Sequence, residues 1–105
     1  PVRLGRGMLV YVQVTLHNSD EATLAAFNAA ISKMPEALEC HMVGGGFDYL
    51  IKLRVRDMKD YRAILGGAIG ALPAVAATHS YFVMEEVKST SLLPLPRARR
   101  TSSNA

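Results

Sequence analysis

Only one of the 105 residues is a cysteine, Cys40, so the chain can form no internal disulfide, and the apolar neighbours of Cys40 read as core packing. No apolar run approaches the roughly 20 residues that span a bilayer. Arg3 and Arg6 precede only the short strand-like run of residues 8–16, without a small-residue cleavage site. No secretory leader is therefore expected, and the expected location is cytoplasmic. A basic folded surface is also missing. The formal charge of +3 comes from Arg97, Arg99 and Arg100, because nine basic residues before Pro96 balance all nine acids. A neutral body argues against a phosphate-binding face, which needs clustered charge.

Catalytic signatures are scarce as well. The three glycines Gly44, Gly45 and Gly46 are no P-loop, since no Lys-Ser/Thr follows and they lead into a strand. Glu85 and Glu86 are neighbours in an expected strand and so face opposite ways. Ser80 has no His–Asp partnership at readable spacing. His41 and His79 share one expected sheet face, but Cys40 points to the other, which leaves a metal short of ligands. No enzyme activity, cofactor or metal is expected.

What is present is the pattern of one domain, half of whose residues are hydrophobic. Residues 1–7 have linker chemistry, residues 8–95 form the domain, and residues 96–105 make a basic, disordered tail. Residues 8–16 alternate, with Val10, Val12, Val14 and Leu16 against Tyr11, Gln13 and Thr15, which is a strand with one buried face. Ser19 or Asp20 caps a helix whose stripe is Leu24, Phe27, Ile31 and Met34, and Pro35 ends it. Residues 38–43 and 49–55 are strands flanking the glycine loop. Asp57 caps a second helix with the stripe Met58, Tyr61, Ile64, Leu65, Ile69 and Leu72, stopped by Pro73. Gly66, Gly67 and Gly70 inside it suggest close approach of another backbone. Residues 75–87 form a last, long strand.

At an offset of 38 the chain overlays itself: Tyr11 meets Tyr49, Ile31 meets Ile69, Pro35 meets Pro73 and His41 meets His79. Two strand–helix–strand units give an α+β, ferredoxin-like βαββαβ fold with an antiparallel sheet and both helices on one face. The other face carries Tyr11, Gln13, Thr15, His41, Val43, Leu50, Lys52, His79, Tyr81 and Val83. It is too apolar for solvent and too polar for a core, so a two-fold dimer through this face is expected. Beside it, the triglycine loop bares its peptide groups next to the Asp48 carboxylate, a combination suited to a small zwitterion. A glycine turn with Asp48 bonded to its own loop is the plainer reading.

Residues 38–52 with their Gly-Gly-Gly-Phe-Asp-Tyr centre, then Asp57, Met58, Tyr61 and Arg62, then Leu72-Pro73 and residues 81–88, together resemble the effector-binding (RAM) domain of the leucine-responsive regulator/AsnC family of transcription regulators. The likeness runs from about Gly7 to Leu95 and is strongest to the leucine-responsive branch. It implies a domain that dimerises through its sheet, assembles into octamers or related rings, and binds a free amino-acid effector between dimers to shift assembly or DNA binding. Carried over by position, the effector site is Gly44, Gly45, Gly46, Asp48 and Tyr49, with Met58, and with Thr78, His79, Ser80 and Tyr81 from a neighbouring subunit. The dimer interface is Tyr11, Gln13, His41, Val43, Leu50, Lys52 and Val83. Gly46 departs from the polar or acidic residue common in relatives, which bears on the amino acid accepted. DNA would be reached only through a helix-turn-helix absent from this chain. The chain is then either a piece of a longer regulator or a stand-alone domain that joins full-length relatives. Two rivals remain: a small dimeric ferredoxin-like enzyme of the cofactor-free monooxygenase type, with a pocket between sheet and helices, and an assembly module without a ligand.

Overall fold

The structure, a computed structural model, describes residues 7–89. They run in the order β1 (Met8–Leu16), α1 (Glu21–Ser32), β2 (Ala37–Met42), β3 (Tyr49–Val55), α2 (Met58–Ala63), a π-helical turn (Ile64–Ile69) and β4 (Val75–Phe82). The expected linker residues 1–6 and residues 90–105, with the basic tail, lie outside the described residues. The sheet order is β2-β3-β1-β4, every neighbouring pair antiparallel. This is the expected ferredoxin-like α+β arrangement.

Alternation decides the faces. Val10, Val12, Val14 and Leu16 of β1 and Tyr49, Ile51, Leu53 and Val55 of β3 are buried, together with Phe27 and Ile31 of α1 and Ile64 and Ile69 of the π turn. Burying each large apolar side chain contributes roughly 1.5–3 kcal/mol relative to exposure. The two central strands thus supply most of one core, and the helices seal it on one side only.

The helix starts follow from side-chain caps. Asp20, not Ser19, caps α1: its Oδ1 accepts from the Thr23 amide at 2.8 Å. At α2 the arrangement is reciprocal, since Asp57 Oδ1 accepts from the Asp60 amide at 2.8 Å and Asp60 Oδ2 accepts from the Arg56 amide at 2.9 Å. These amide bonds hold the Asp20 and Asp60 carboxyls below their ordinary value of 3.8. A carboxyl whose pKa is depressed by folding contributes stability above its unfolded pKa and loses it as pH falls through the folded one. Thermal stability should therefore drop as pH falls below about 4, and Asp60→Asn should flatten that drop in melts recorded between about pH 5 and pH 2.5.

Four expectations need correction. First, β4 stops at Phe82, not at residue 87. Its ladder partner β1 begins only at Met8, and the last bond is Val83 N–H to the Leu9 carbonyl at 3.0 Å. Gly7, immediately before β1, has φ 67°, and a methyl group there would collide with the Val55 carbonyl. Second, the helix glycines do not mark a close approach. A methyl on Gly66 or Gly67 would meet open space, and one on Gly70 would meet backbone of the preceding turn, the Leu65 carbonyl first and then Gly66. The Gly70 amide bonds that carbonyl at 2.6 Å, five residues back. Residues five apart diverge by about 140° in an α-helix. The wider π turn instead brings Ile64 and Ile69 together onto the sheet, where both are buried.

Third, Met58 leaves the second helix's apolar stripe and is exposed. Fourth, the repeat is out of phase between β1 and β3, though His41 of β2 and His79 of β4 keep it. Tyr11 lies on the open face and Tyr49 in the core, so β1 and β3 correspond at an offset of 39, while Ile31 and Ile69 keep 38. A one-residue slip is enough to turn every side chain over.

Candidate functional site

The open sheet face is built by strand register. Glu39, Lys52, Tyr11 and Tyr81 form one row across β2, β3, β1 and β4; His41, Leu50, Gln13 and His79 form the next. Lys52 Nζ lies 3.9 Å from Glu39 Oε2 and 6.0 Å from the centre of the Tyr11 ring. A partly solvated pair at that distance contributes little to stability. Its effect is to neutralise a face that no helix covers. Val43 and Val83 lie one residue beyond the ends of β2 and β4. His41 and His79 share the face but stand on opposite edges, three strand spacings or about 14 Å apart. One chain therefore cannot bring both imidazoles to one metal. No group of three or more His, Cys, Asp or Glu side chains among the described residues could hold a metal ion.

Residues 43–48 link β2 to β3 at the Leu16 end of β1. Asp48 anchors them three ways. Its carbonyl accepts from the Val43 amide at 2.9 Å, its amide donates to the Val14 carbonyl at 2.9 Å, and its Oδ2 accepts from the Leu16 amide at 2.8 Å. The carboxylate bonds across to β1 rather than to its own loop, as the plainer reading of the sequence had it. A carboxylate can accept about four hydrogen bonds, so this one keeps capacity for a ligand ammonium.

Of the three loop glycines only Gly45 has a positive φ, 138°. Nothing lies within 4 Å of where a Cβ would stand on any of them. The fold demands one glycine here, and the chain supplies three. Gly45→Ala is expected to cost about 1–3 kcal/mol of unfolding free energy. Gly44→Ala and Gly46→Ala should leave the denaturant midpoint of the monomer unchanged or slightly raised.

The remaining expected site residues are dispersed. Tyr49 is a core residue, 2% exposed, with its ring 4.3 Å from that of Phe27 and its hydroxyl donating to Asn28 Oδ1 at 2.6 Å. Burial first, then the Cys40 and Asp48 charges, pushes its phenol pKa up. It braces the strand leaving the loop, and direct contact with a ligand is not what its position provides. Burial also raises the Cys40 thiol pKa, making it a poor nucleophile beside the core. Met58 sits past the Val55 end of β3, seven strand residues or roughly 20 Å from Asp48. Thr78 and Ser80 face the helices, where Tyr61 donates to Ser80 Oγ at 2.7 Å, whereas His79 and Tyr81 face the open side. The Asn28–Tyr49 and Asp48–Leu16 bonds carry no local sequence signal, since 21 and 32 residues separate their partners.

The space between sheet and helices is filled by aliphatic and aromatic side chains. An apolar cleft of about 390 Å³ opens between α1 and the segment before β4, lined by Asn18, Thr23, Phe27 and Leu72 among others, without a titratable side chain. No acid, base and nucleophile converge among the described residues. An open sheet face and an exposed, anchored loop are the features of a ligand-binding domain. The Lrp/AsnC ligand-binding-domain model matches residues 9–93, and the chain belongs to that family.

It is 49% identical over 87 residues to the proline dehydrogenase transcriptional activator of Rhodobacter capsulatus, covering 83% of this chain and 56% of that protein. It is 46% identical over 93 residues to the leucine-responsive regulatory protein of Salmonella typhimurium, covering 89% and 57%. A transcriptional regulator from Neisseria meningitidis, solved as a complex with L-Met, superposes with a TM-score of 0.77 at 27% identity over 85% of this chain and 57% of that one. The chain thus spans less than three fifths of the length of these relatives. They are transcription regulators, not enzymes. Among the described residues no helix is long and apolar enough to cross a membrane.

Proposed function

We propose that this chain is the amino-acid-sensing and assembly domain of an Lrp/AsnC-type transcription regulator, with the effector held at the loop of residues 43–48 on a seam between copies. The observation that carries this reading is the pair of glycines, Gly44 and Gly46, that the fold does not require. Side chains there would cover peptide groups that the present loop leaves bare. Asp48 and the loop carbonyls receive the ammonium group, the glycine amides receive the carboxylate, and residues of a neighbouring copy meet the effector side chain. Because Met58 and the loop occupy opposite ends of one sheet, Met58 can join the site only from another copy. A neighbouring β4 presents either Thr78 and Ser80 or His79 and Tyr81, not all four. The L-Met complex of the Neisseria relative supports an amino acid as the ligand class.

Assembly begins with two open sheet faces stacked about a two-fold axis, and dimers then join into a higher ring such as an octamer. DNA is reached through a helix-turn-helix of the parent or of a full-length partner. Calorimetric titration of the chain with a panel of free L-amino acids, methionine and leucine included, tests the sensing role. Saturable heat with at least one of them is expected, and silence across the panel would leave an assembly module without a ligand.

A further inference from the structure

Two of the chain's three histidines, His41 and His79, stand on the open sheet face in one row with Leu50 and Gln13. Both are exposed in the single copy. The third, His17, lies in the bend after β1. Histidine is the side chain whose ordinary titration falls between about pH 5 and 8. A face that stacks on a copy of itself meets each of its own charges a second time. Its charge at a given pH therefore decides how well the stack holds.

The other charged and titratable groups of this face are few and largely balanced. β2 contributes Glu39, β3 Lys52 and Arg54, β1 Tyr11 and β4 Tyr81. Glu39 and Lys52 pair with each other at 3.9 Å, and Arg54 is engaged within its own copy. Asp48, just before β3, gives its carboxylate to the Leu16 amide. His41 has Glu39 two residues away on its own strand and Asp48 one row beyond. His79 is placed differently. Its own row and the two beside it on β1 and β4 hold Gln13, Tyr11, Tyr81, Thr15 and Ala77, none of them acidic. A proton on His79 meets no carboxylate from either strand.

We infer that His79, with His41, makes the sheet-face dimer proton-sensitive, tight above about pH 7 and loosened below about pH 6. The inference rests on the face-to-face dimer proposed above and deepens it. Neutral imidazoles fit a stacked face as small polar rings. Charging both in each copy places four new positive charges in one dimer, two on each facing sheet, beside the Lys52 already there. Water leaves the face as it is covered, so these charges lose hydration and repel one another with little screening. The sign follows from proton counts. Separated copies hold more protons than the stacked pair, so a falling pH draws the equilibrium toward separation. The helix caps stay out of this range, because the Asp20 and Asp60 carboxyls titrate below 3.8.

Sedimentation equilibrium of the 105-residue chain at about pH 8 and about pH 5.5 tests the response, with EDTA present to exclude metal bridges between imidazoles. The dimer dissociation constant is expected to rise about tenfold or more at the lower pH, with an unchanged circular dichroism spectrum. His41→Gln/His79→Gln keeps polar side chains that do not titrate, and its dissociation constant should differ less than about twofold between the two conditions. If the double variant does not associate, His79→Gln alone is expected to lose most of the response. His17→Gln should behave as the wild type. A wild-type chain that is monomeric even at the higher pH overturns the face-to-face reading and the proton response with it. A dimer equally tight in both conditions overturns the response alone. So does a pH dependence that survives in the histidine variants of the face or vanishes with His17→Gln.

Discussion

Asparagine in place of Asp48 should weaken binding of the amino-acid effector about 10- to 100-fold while leaving the domain folded. The two functions of this carboxylate separate cleanly by substitution. The Leu16 amide at 2.8 Å needs an acceptor, and an asparagine carbonyl oxygen supplies one. The effector's ammonium needs a negative charge, and asparagine has none. A hydrogen bond to a charged group contributes about 1.5–3 kcal/mol net, which sets the expected loss of affinity. Asp48→Ala removes both, and its stranded Leu16 amide should cost a further 1–3 kcal/mol, roughly, in unfolding free energy. Titration calorimetry and urea melts on the two variants would show binding lost in both and stability lost chiefly in the alanine form. Equal loss of stability in both, with affinity preserved in the asparagine variant, would make Asp48 a structural residue only.

Glutamate at Leu50 should convert the dimer into a folded monomer, raising the dissociation constant by roughly two orders of magnitude. Leu50 lies on β3, one of the two central strands, in the row His41, Leu50, Gln13 and His79 on the open face. When two such faces stack about a two-fold axis, the central strands of one copy cover those of the other. A carboxylate there is desolvated in both copies at once, a cost of several kcal/mol for unpaired charge. The monomer should be indifferent, because the core is made by Ile51 and Leu53 on the opposite side of the same strand. Size-exclusion chromatography with light scattering, beside a thermal melt, separates loss of assembly from loss of fold. A variant that remains dimeric would place the interface elsewhere.

Much of this architecture is visible in the residues themselves, for reasons that can be named. The strict two-residue alternation of β1 and β3 puts valine and isoleucine on one side and tyrosine, glutamine and lysine on the other, so the covered and open faces follow at once. Asp57 and Asp20 stand where a helix start needs an acceptor. The π turn was hidden, because its mark is a five-residue spacing of Ile64 and Ile69 that reads as an ordinary helical stripe with one step too many. The end of β4 was hidden as well. Residues 83–87 have strand character, but β1 begins only at Met8, and beyond the Val83 amide no backbone hydrogen bond of residues 84–87 is formed among the described residues. The site was half legible. A run of three glycines beside an acid announces a loop with bare peptide groups, but which glycine the backbone requires depends on a torsion angle, and the Leu16 contact of Asp48 depends on a fold already formed.

The most direct measurement is amide-resolved NMR of the labelled chain titrated with free L-methionine and L-leucine at a concentration where it is assembled. Saturable shifts centred on Gly44, Gly45, Gly46 and Asp48, absent in the Asp48→Asn variant, are the predicted result. Shifts confined to the cleft between α1 and the segment before β4, with the glycine amides unmoved, would contradict it.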